Sequence, residues 1–246
     1  MKNLTEKVAV VTGSSKGIGA AIALKLAQEG AKVIVNYSGN QTAADETVFR
    51  ITSTGGQAIA VKADVSRKEE VEYLFDKTIE HFGKVDIWVN NAGVMLNALI
   101  KDLSEEQLEK QLDINIKGVF YSLQQAATKL SDNGSIINLS STVTRTIFPT
   151  YGVYAATKAA VEQMSRIFAK EIGSRGINVN CVLPGPTGTD LFLNGKSEEL
   201  IKQLASTNAF GRLGTPEDIA EVVVFLASDQ AKWISGQSIG ANGGMA

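Results

Sequence analysis

Tyr154 and Lys158 stand four residues apart in Tyr154-Ala155-Ala156-Thr157-Lys158. On a helix that spacing puts both side chains on one face, a single turn from each other. A free phenol ionises near pH ~10 and is a poor acid–base group at neutral pH, whereas a neighbouring ammonium favours the phenolate. The pair therefore reads as a phenol tuned by Lys158 for proton transfer. Spacing alone is not selective, because Tyr73 and Lys77 repeat it beside Val71, Leu74 and Phe75. That second pair sits on an amphipathic stretch far from any strand end and reads as a solvated helix face. Tyr154 differs in its company: Ser141 ends a strand-like run thirteen residues earlier, and Pro184-Gly185-Pro186 ends the next one.

A second constellation is Thr12-Gly13-Ser14-Ser15-Lys16-Gly17-Ile18-Gly19, between the first strand-like run and the first helical stretch. In that position backbone amides and a helix N-terminus can meet a pyrophosphate. The Gly-x-x-x-Gly-x-Gly spacing differs from the usual Gly-x-Gly-x-x-Gly fingerprint, and a plain tight turn would also use such glycines. Its strand–turn–helix setting makes a dinucleotide the expected ligand. An NAD-type site would place a carboxylate at the end of the second strand to grip the ribose 2′-hydroxyl. Asn36 stands there instead, followed by Tyr37 and Ser38, while Lys16 offers a positive charge nearby. NADP(H) is expected ahead of NAD(H).

These groups must be carried by elements, and short apolar runs alternate with longer amphipathic stretches throughout the chain. That is the pattern of a parallel sheet with helices on both faces. Seven strands are expected over 7–12, 32–36, 58–62, 86–90, 135–140, 178–183 and 237–240, forming one doubly wound α/β Rossmann domain over 1–246. Ser66-Arg67-Lys68-Glu69 and Ser104-Glu105-Glu106-Gln107 read as helix capping boxes, and Thr215-Pro216-Glu217-Asp218 as a cap before a first-turn proline. Gly30, Gly83 and Gly173 read as helix C-terminal caps. Helices over 108–130 and 151–172 carry apolar residues around most of their circumference, more than one sheet can cover. A homo-oligomer, a dimer of dimers packed through these two helices, is the expectation.

Composition narrows the function classes. The chain has 246 residues with 24 basic and 26 acidic side chains, so nothing in its charge favours nucleic acid. One Cys (Cys181) and one His (His81) exclude an internal disulfide and leave no Cys/His cluster for zinc. A Ser-His-Asp triad would have to use His81, which reads as the last turn of an outer helix, where a partial positive charge suits the dipole. No run approaches the ~18 apolar residues of a membrane span, and Met1-Lys2-Asn3 leads towards a strand without a signal-peptide core. The cytoplasm is the expected location, with no membrane partner.

In combination the motifs resemble the short-chain dehydrogenase/reductase family over nearly the whole chain. The matching pieces are the glycine turn, Asp64-Val65, Asn90-Asn91-Ala92-Gly93, Asp113-Ile114-Asn115, Ser140-Ser141, Tyr154 with Lys158, Pro184-Gly185 followed by Thr189, and Gly243-Gly244. The resemblance implies an NAD(P)(H)-dependent oxidoreductase with a catalytic set of Asn115, Ser141, Tyr154 and Lys158 and no metal. Taken singly, Asn115 and Ser141 would read as a helix kink and a strand cap. The implied cofactor contacts are Gly13, Ser14, Ser15, Lys16, Gly17, Ile18, Gly19, Asn36, Tyr37 and Ser38. Asp64 and Val65 would meet the adenine, Asn91, Ala92 and Gly93 the adenine ribose side, and Pro184, Gly185, Thr187 and Thr189 the carboxamide. Lys158 would also bind the nicotinamide ribose, and Asn115 would hold a water feeding protons through Lys158 to Tyr154.

A segment around 189–212, rich in Leu191, Phe192, Leu193, Leu200, Ile201, Leu204 and Phe210, would cover a substrate with an apolar portion, with Tyr151 and Ile147 opposite. The same residues could instead simply pack that segment onto the body. Within the family, the chain resembles the branch of 3-oxoacyl-carrier-protein reductases and NADPH-dependent carbonyl or aldehyde reductases. A small ketone or aldehyde is the leading substrate. A 3-oxoacyl thioester is the alternative, disfavoured because Asp132-Asn133-Gly134-Ser135 lacks the basic residue that would dock an acidic carrier protein, although Arg175 remains. A cofactor-binding sensor without turnover is a third reading.

Overall fold

Val8-Ala9-Val10-Val11 has no polar face, so it is stable as a strand only where helices cover the sheet on both sides. The computed structural model, which describes residues 3–246, builds such a sheet. Met1 and Lys2, which enter the reading of the N-terminus, lie outside the described residues. The strands are β1 Val8–Val11, β2 Lys32–Tyr37, β3 Gln57–Lys62, β4 Ile87–Asn90, β5 Ser135–Leu139, β6 Asn178–Pro184 and β7 Ser238–Ala241. Each lies within one residue of the span expected from sequence. All pair in parallel in the order β3-β2-β1-β4-β5-β6-β7. The winding reverses between β1 and β4, and a sheet of this kind opens its ligand crevice at the carboxyl ends of the strands there.

The helices are α1 Gly17–Gln28, α2 Gln41–Thr52, α3 Lys68–Phe82, α4 Glu105–Leu112, α5 Gly118–Lys129, α6 Gly152–Ile172, α7 Asp190–Leu193, α8 Glu198–Ala205 and α9 Pro216–Ala227. One apolar core lies beneath α1, α2 and α9; the other lies beneath α3, α5 and α6, where Phe75 stacks on Trp88 at 3.8 Å between ring centroids. No helix among the described residues is long and apolar enough to cross a membrane.

Three local expectations need correction. Residues 108–130 are not one helix: α4 and α5 are joined by a π-helical turn, Asp113–Lys117. Ser66 does not cap α3. Its hydroxyl and amide both donate to Asp64 Oδ1, at 2.7 and 3.0 Å, and Arg67 holds the N-cap position without a side-chain bond. Gly173 has φ −60° and continues the chain into a 3₁₀ turn, so the left-handed residue is Gly176, at φ 68°. By contrast, Ser104 with Gln107 and Thr215 with Asp218 form complete capping boxes, and Gly83 closes α3 at φ 84°.

Candidate active site

The turn after β1 is held from behind by buried polar groups. Gly13, at φ 60°, donates its N–H to Asn36 Oδ1 at 3.1 Å, and Asn36 Nδ2 donates to the Val61 and Ala63 carbonyls at 3.2 and 3.0 Å. Asn36 is 1% exposed. Its amide braces the turn, and Asn36 also lines the cavity together with Tyr37 and Ser38, bringing no carboxylate to the end of β2. Ser14 is turned inward. It is fully buried, its hydroxyl donates to the Val11 carbonyl at 2.7 Å, and it does not line the cavity. Ser15, Lys16, Gly17, Ile18 and Gly19 do line it.

Helix α1 begins with no side-chain cap and no acidic residue in its first turn. Its free amides and positive dipole end are left to face the cavity, as an anion such as a pyrophosphate requires. The cradle also depends on close backbone approach. A Cβ at Gly19 would lie 2.5 Å from the Gly13 carbonyl oxygen and from Asn91 Nδ2, and 2.8 Å from Ser14 Cα. Gly19→Ala must open the turn and is expected to weaken dinucleotide binding about tenfold or more, as overpacking by about 1–3 kcal/mol implies. Titration of cofactor fluorescence checks this.

Ser141 and the Tyr154/Lys158 pair meet at the carboxyl ends of β5 and β6. Ser141 leaves β5 extended, and its Oγ accepts the Val143 N–H at 3.3 Å. Tyr154 and Lys158 lie in the first two turns of α6, with Lys158 Nζ 5.8 Å from the Tyr154 ring centroid. Nζ donates to the Leu139 carbonyl at 2.8 Å and has two further hydrogens. Burial lowers the Lys158 pKa from 10.5 to about 8. Burial also pushes the Tyr154 phenol up to about 12, against a downward pull from the Ser141 hydroxyl and with a further upward push from Tyr151. Desolvation outweighs the pull of Ser141, and Tyr154 keeps its proton at neutral pH.

The π-helical turn explains Asn115. The extra residue in that turn swings a fully buried amide across to the loop after β4. Asn115 Oδ1 accepts the Val94 N–H, and Nδ2 donates to the Val94 carbonyl, both at 2.9 Å. Nδ2 also donates to Thr157 Oγ1 at 3.1 Å, on the helix that carries Tyr154 and Lys158. The side chain is therefore spent on positioning this loop and α6, and it does not line the cavity, although Ile114 does.

These parts enclose one cavity of about 1020 Å³. It runs from Ser38, Gly39 and Asn40 past the glycine turn, Asp64, Val65 and Asn91 to Gly93, reaches Ser141, Tyr154 and Lys158, and continues under α7 and α8. A family model described as enoyl-(acyl carrier protein) reductase matches residues 13–246. The fold matches a Serratia marcescens short-chain dehydrogenase/reductase with a TM-score of 0.95 and 37% identity over 99% of each chain. The chain belongs to the short-chain dehydrogenase/reductase family. A chloroplastic NADPH-dependent aldehyde reductase of Arabidopsis thaliana is 43% identical to it over 98% of this chain and 94% of that one. A Staphylococcus aureus 3-oxoacyl-(acyl-carrier-protein) reductase is 42% identical over 97% and 98%. The structure also resembles the angucycline C-6 ketoreductase LanV with bound NADP, at TM-score 0.94 and 40% identity over 99% and 96%.

Within the motifs of this short-chain dehydrogenase/reductase, Thr12 and Asn91 do bracing work that the motif reading did not assign to them. The Thr12 hydroxyl accepts the N–H groups of Asn91 and Ala92 at 3.0 Å, stitching the glycine turn to the end of β4. Asn91 Nδ2 returns two bonds, to the Thr12 and Gly13 carbonyls at 2.9 and 3.0 Å. The available signal was a polar side chain ending an otherwise apolar strand. Lys16 is exposed and lies 3.7 Å from Asp190 at the start of α7. Exposed pairs of this kind are worth little, so the ammonium is free to turn to another anion.

At the far end, Leu191, Phe192, Leu200 and Leu204 face the cavity, whereas Leu193, Ile201 and Phe210 do not. Ile147 is 99% exposed and points away; its neighbour Phe148 takes the wall position expected of it. Phe148, Tyr151 and Tyr154 form an aromatic series with centroids 6.2 and 6.5 Å apart, ending on the phenol of Tyr154. Arg175 is used internally: it donates to Asp132 Oδ1 at 2.7 Å and to the Ala127 and Leu130 carbonyls at the end of α5.

Proposed function

We propose that this short-chain dehydrogenase/reductase uses NADPH to reduce an apolar ketone or aldehyde to an alcohol. The observation that carries the reading is the single cavity joining an uncapped, glycine-lined helix start to a protonated phenol, a serine hydroxyl and a buried ammonium. Gly13, Ser15 to Gly19, Asp64, Val65, Asn91 to Gly93, Pro184, Gly185, Thr187 and Thr189 would hold the dinucleotide. When bound, it supplies a hydride to a carbonyl carbon.

Tyr154 gives its proton to the developing alkoxide, a role suited to a phenol whose pKa stands at about 12. The Ser141 hydroxyl donates to the same oxygen and stabilises the charge gathering there. Lys158, with two free N–H groups, holds the nicotinamide ribose and keeps a positive charge beside the phenol as the proton leaves. Asn115 keeps the loop at Val94 and the helix at Thr157 in register, and its backbone is the remaining means of holding a relay water. The aromatic series and the leucines of α8 supply an apolar wall, and α7 with α8 forms the cover over the substrate.

A panel of aryl and alkyl ketones and aldehydes with NADPH and NADH tests this proposal. Consumption of reduced nicotinamide with such compounds, fastest with NADPH, is expected; consumption with none of them sinks the proposal. The NADP(H) preference is supported by the NADPH-dependent and NADP-bound relatives and by the mobile charge of Lys16. Lys16→Ala is expected to raise the Kd for NADPH about fivefold, equivalent to about 1 kcal/mol, with NADH little changed. Equal effects on both cofactors would remove Lys16 from the selection.

The second reading, a 3-oxoacyl thioester as substrate, is favoured by the Staphylococcus aureus relative. It is opposed by the engagement of Arg175 with Asp132 and the end of α5, which leaves that cation poorly placed to dock an acidic carrier. Acetoacetyl thioesters reduced faster than simple ketones would favour it. The exposure of Phe120 on α5 and Ile167 on α6 supports assembly as a dimer of dimers through these helices. Light scattering that shows only monomer would exclude that assembly.

A further inference from the structure

Glu162 is a buried carboxylate on α6, one turn beyond Lys158, with 4% of its side chain exposed. A buried charge is costly unless it is paired and hydrogen-bonded, and Glu162 is both. Oε1 accepts the Ser140 hydroxyl at 2.9 Å. Oε2 accepts Arg145 Nη2 at 2.8 Å, and Arg166 Nη2 lies 3.9 Å from the same oxygen. The Ser140 hydroxyl is also 3.3 Å from the Lys158 carbonyl.

Ser140 and Arg145 bracket Ser141 and the 3₁₀ turn Thr142–Thr144. Within that bracket the Val143 N–H occupies a lone pair of Ser141 Oγ, which leaves the hydroxyl hydrogen to be aimed elsewhere. We propose that Glu162, acting with Arg145, is a positioning residue that fixes this turn and so aims the Ser141 hydroxyl at the reacting carbonyl oxygen. One carboxylate on the helix of Tyr154 and Lys158 thereby holds the strand end carrying the third reacting group. Thr142 and Val143 line the cavity within the same bracket, so the substrate wall depends on the same anchor. The inference rests on the carbonyl-reductase reading above.

Glu162→Gln, Arg145→Met and Arg145→Lys, made in the full chain, test it. Arg145 is 42% exposed, so its replacement leaves the core intact. In Glu162→Gln and Arg145→Met, kcat is expected to fall about tenfold to a hundredfold, the cost of misaiming one reacting group. NADPH affinity stays near wild type, the thermal midpoint falls in Arg145→Met because Glu162 keeps a buried charge with only Arg166 at 3.9 Å, Arg145→Lys recovers most of the rate, and added guanidinium partly restores Arg145→Met. A kcat within about twofold of wild type in Arg145→Met overturns the inference, as does a loss confined to KM or to stability. Amide exchange across residues 141–148 gives a readout independent of turnover: it accelerates in Arg145→Met, and unchanged exchange refutes the clamp. A wild-type protein that reduces no carbonyl compound defeats the reductase reading alone, because the exchange result still decides whether the clamp exists.

Discussion

Tyr154→Phe is expected to lower kcat by about 10²–10⁴-fold, the range that a positioned general acid contributes. The substitution removes one hydroxyl and keeps the ring, so the Tyr151 contact at 6.5 Å and the burial of Lys158 survive. Dinucleotide affinity should stay within about threefold, because a phenol that donates only as the alkoxide forms contributes little to ground-state binding. Parallel measurements of turnover and of NADPH fluorescence decide the matter. A variant that binds the cofactor normally and still turns over at a tenth of the wild-type rate would show that the proton comes from elsewhere. A wild type and variant that both bind cofactor and reduce nothing would point to a sensor.

The second large effect is a pH dependence set by Lys158. Its pKa is lowered by burial to about 8, so the ammonium is present below that pH and is lost as pH rises through it. If the charge beside Tyr154 is needed, kcat/KM for reduction is level below about pH 8 and then falls about tenfold per pH unit, as a single required protonation dictates. Tyr154, at about 12, stays protonated across this window and adds no limb of its own. Lys158→Met should lose most of the activity at every pH and abolish the alkaline limb. It should not unfold the protein: below pH 8 the folded state carries an ammonium it has paid to bury, so relieving that charge is neutral or stabilising. Thermal midpoints of the two proteins at pH 7 check this, and a limb that persists in Lys158→Met would assign it to another group.

The elements were legible because their signals are local. Continuous apolar runs such as Val33-Ile34-Val35 announce buried parallel strands wherever they occur, and Ser104 with Gln107 or Thr215 with Asp218 announce helix starts through bonds spanning three residues. The π-helical turn at Asp113–Lys117 was not legible. Its cause is distant: the register is set by Asn115 reaching Val94 and Thr157, 21 and 42 residues away. The bracing role of Asn36 was hidden for a similar reason, since its amide bonds Gly13, Val61 and Ala63, 23 to 27 residues away.

The two tyrosine–lysine pairs mark the boundary most clearly. The four-residue spacing sets their local geometry, and both lysines lie 5.8 Å from their tyrosine ring centroids. Their neighbours along the chain already distinguish the two pairs, and the tertiary structure supplies the burial that gives the distinction its energy. Tyr73 is 47% exposed and Lys77 pairs with Glu80 in water at 2.6 Å, whereas Lys158 is 6% exposed beneath β5. The intervals between residues set which side chains can meet, but burial sets the cost of a charge, and burial is created by chain segments more than a hundred residues apart closing on one cavity.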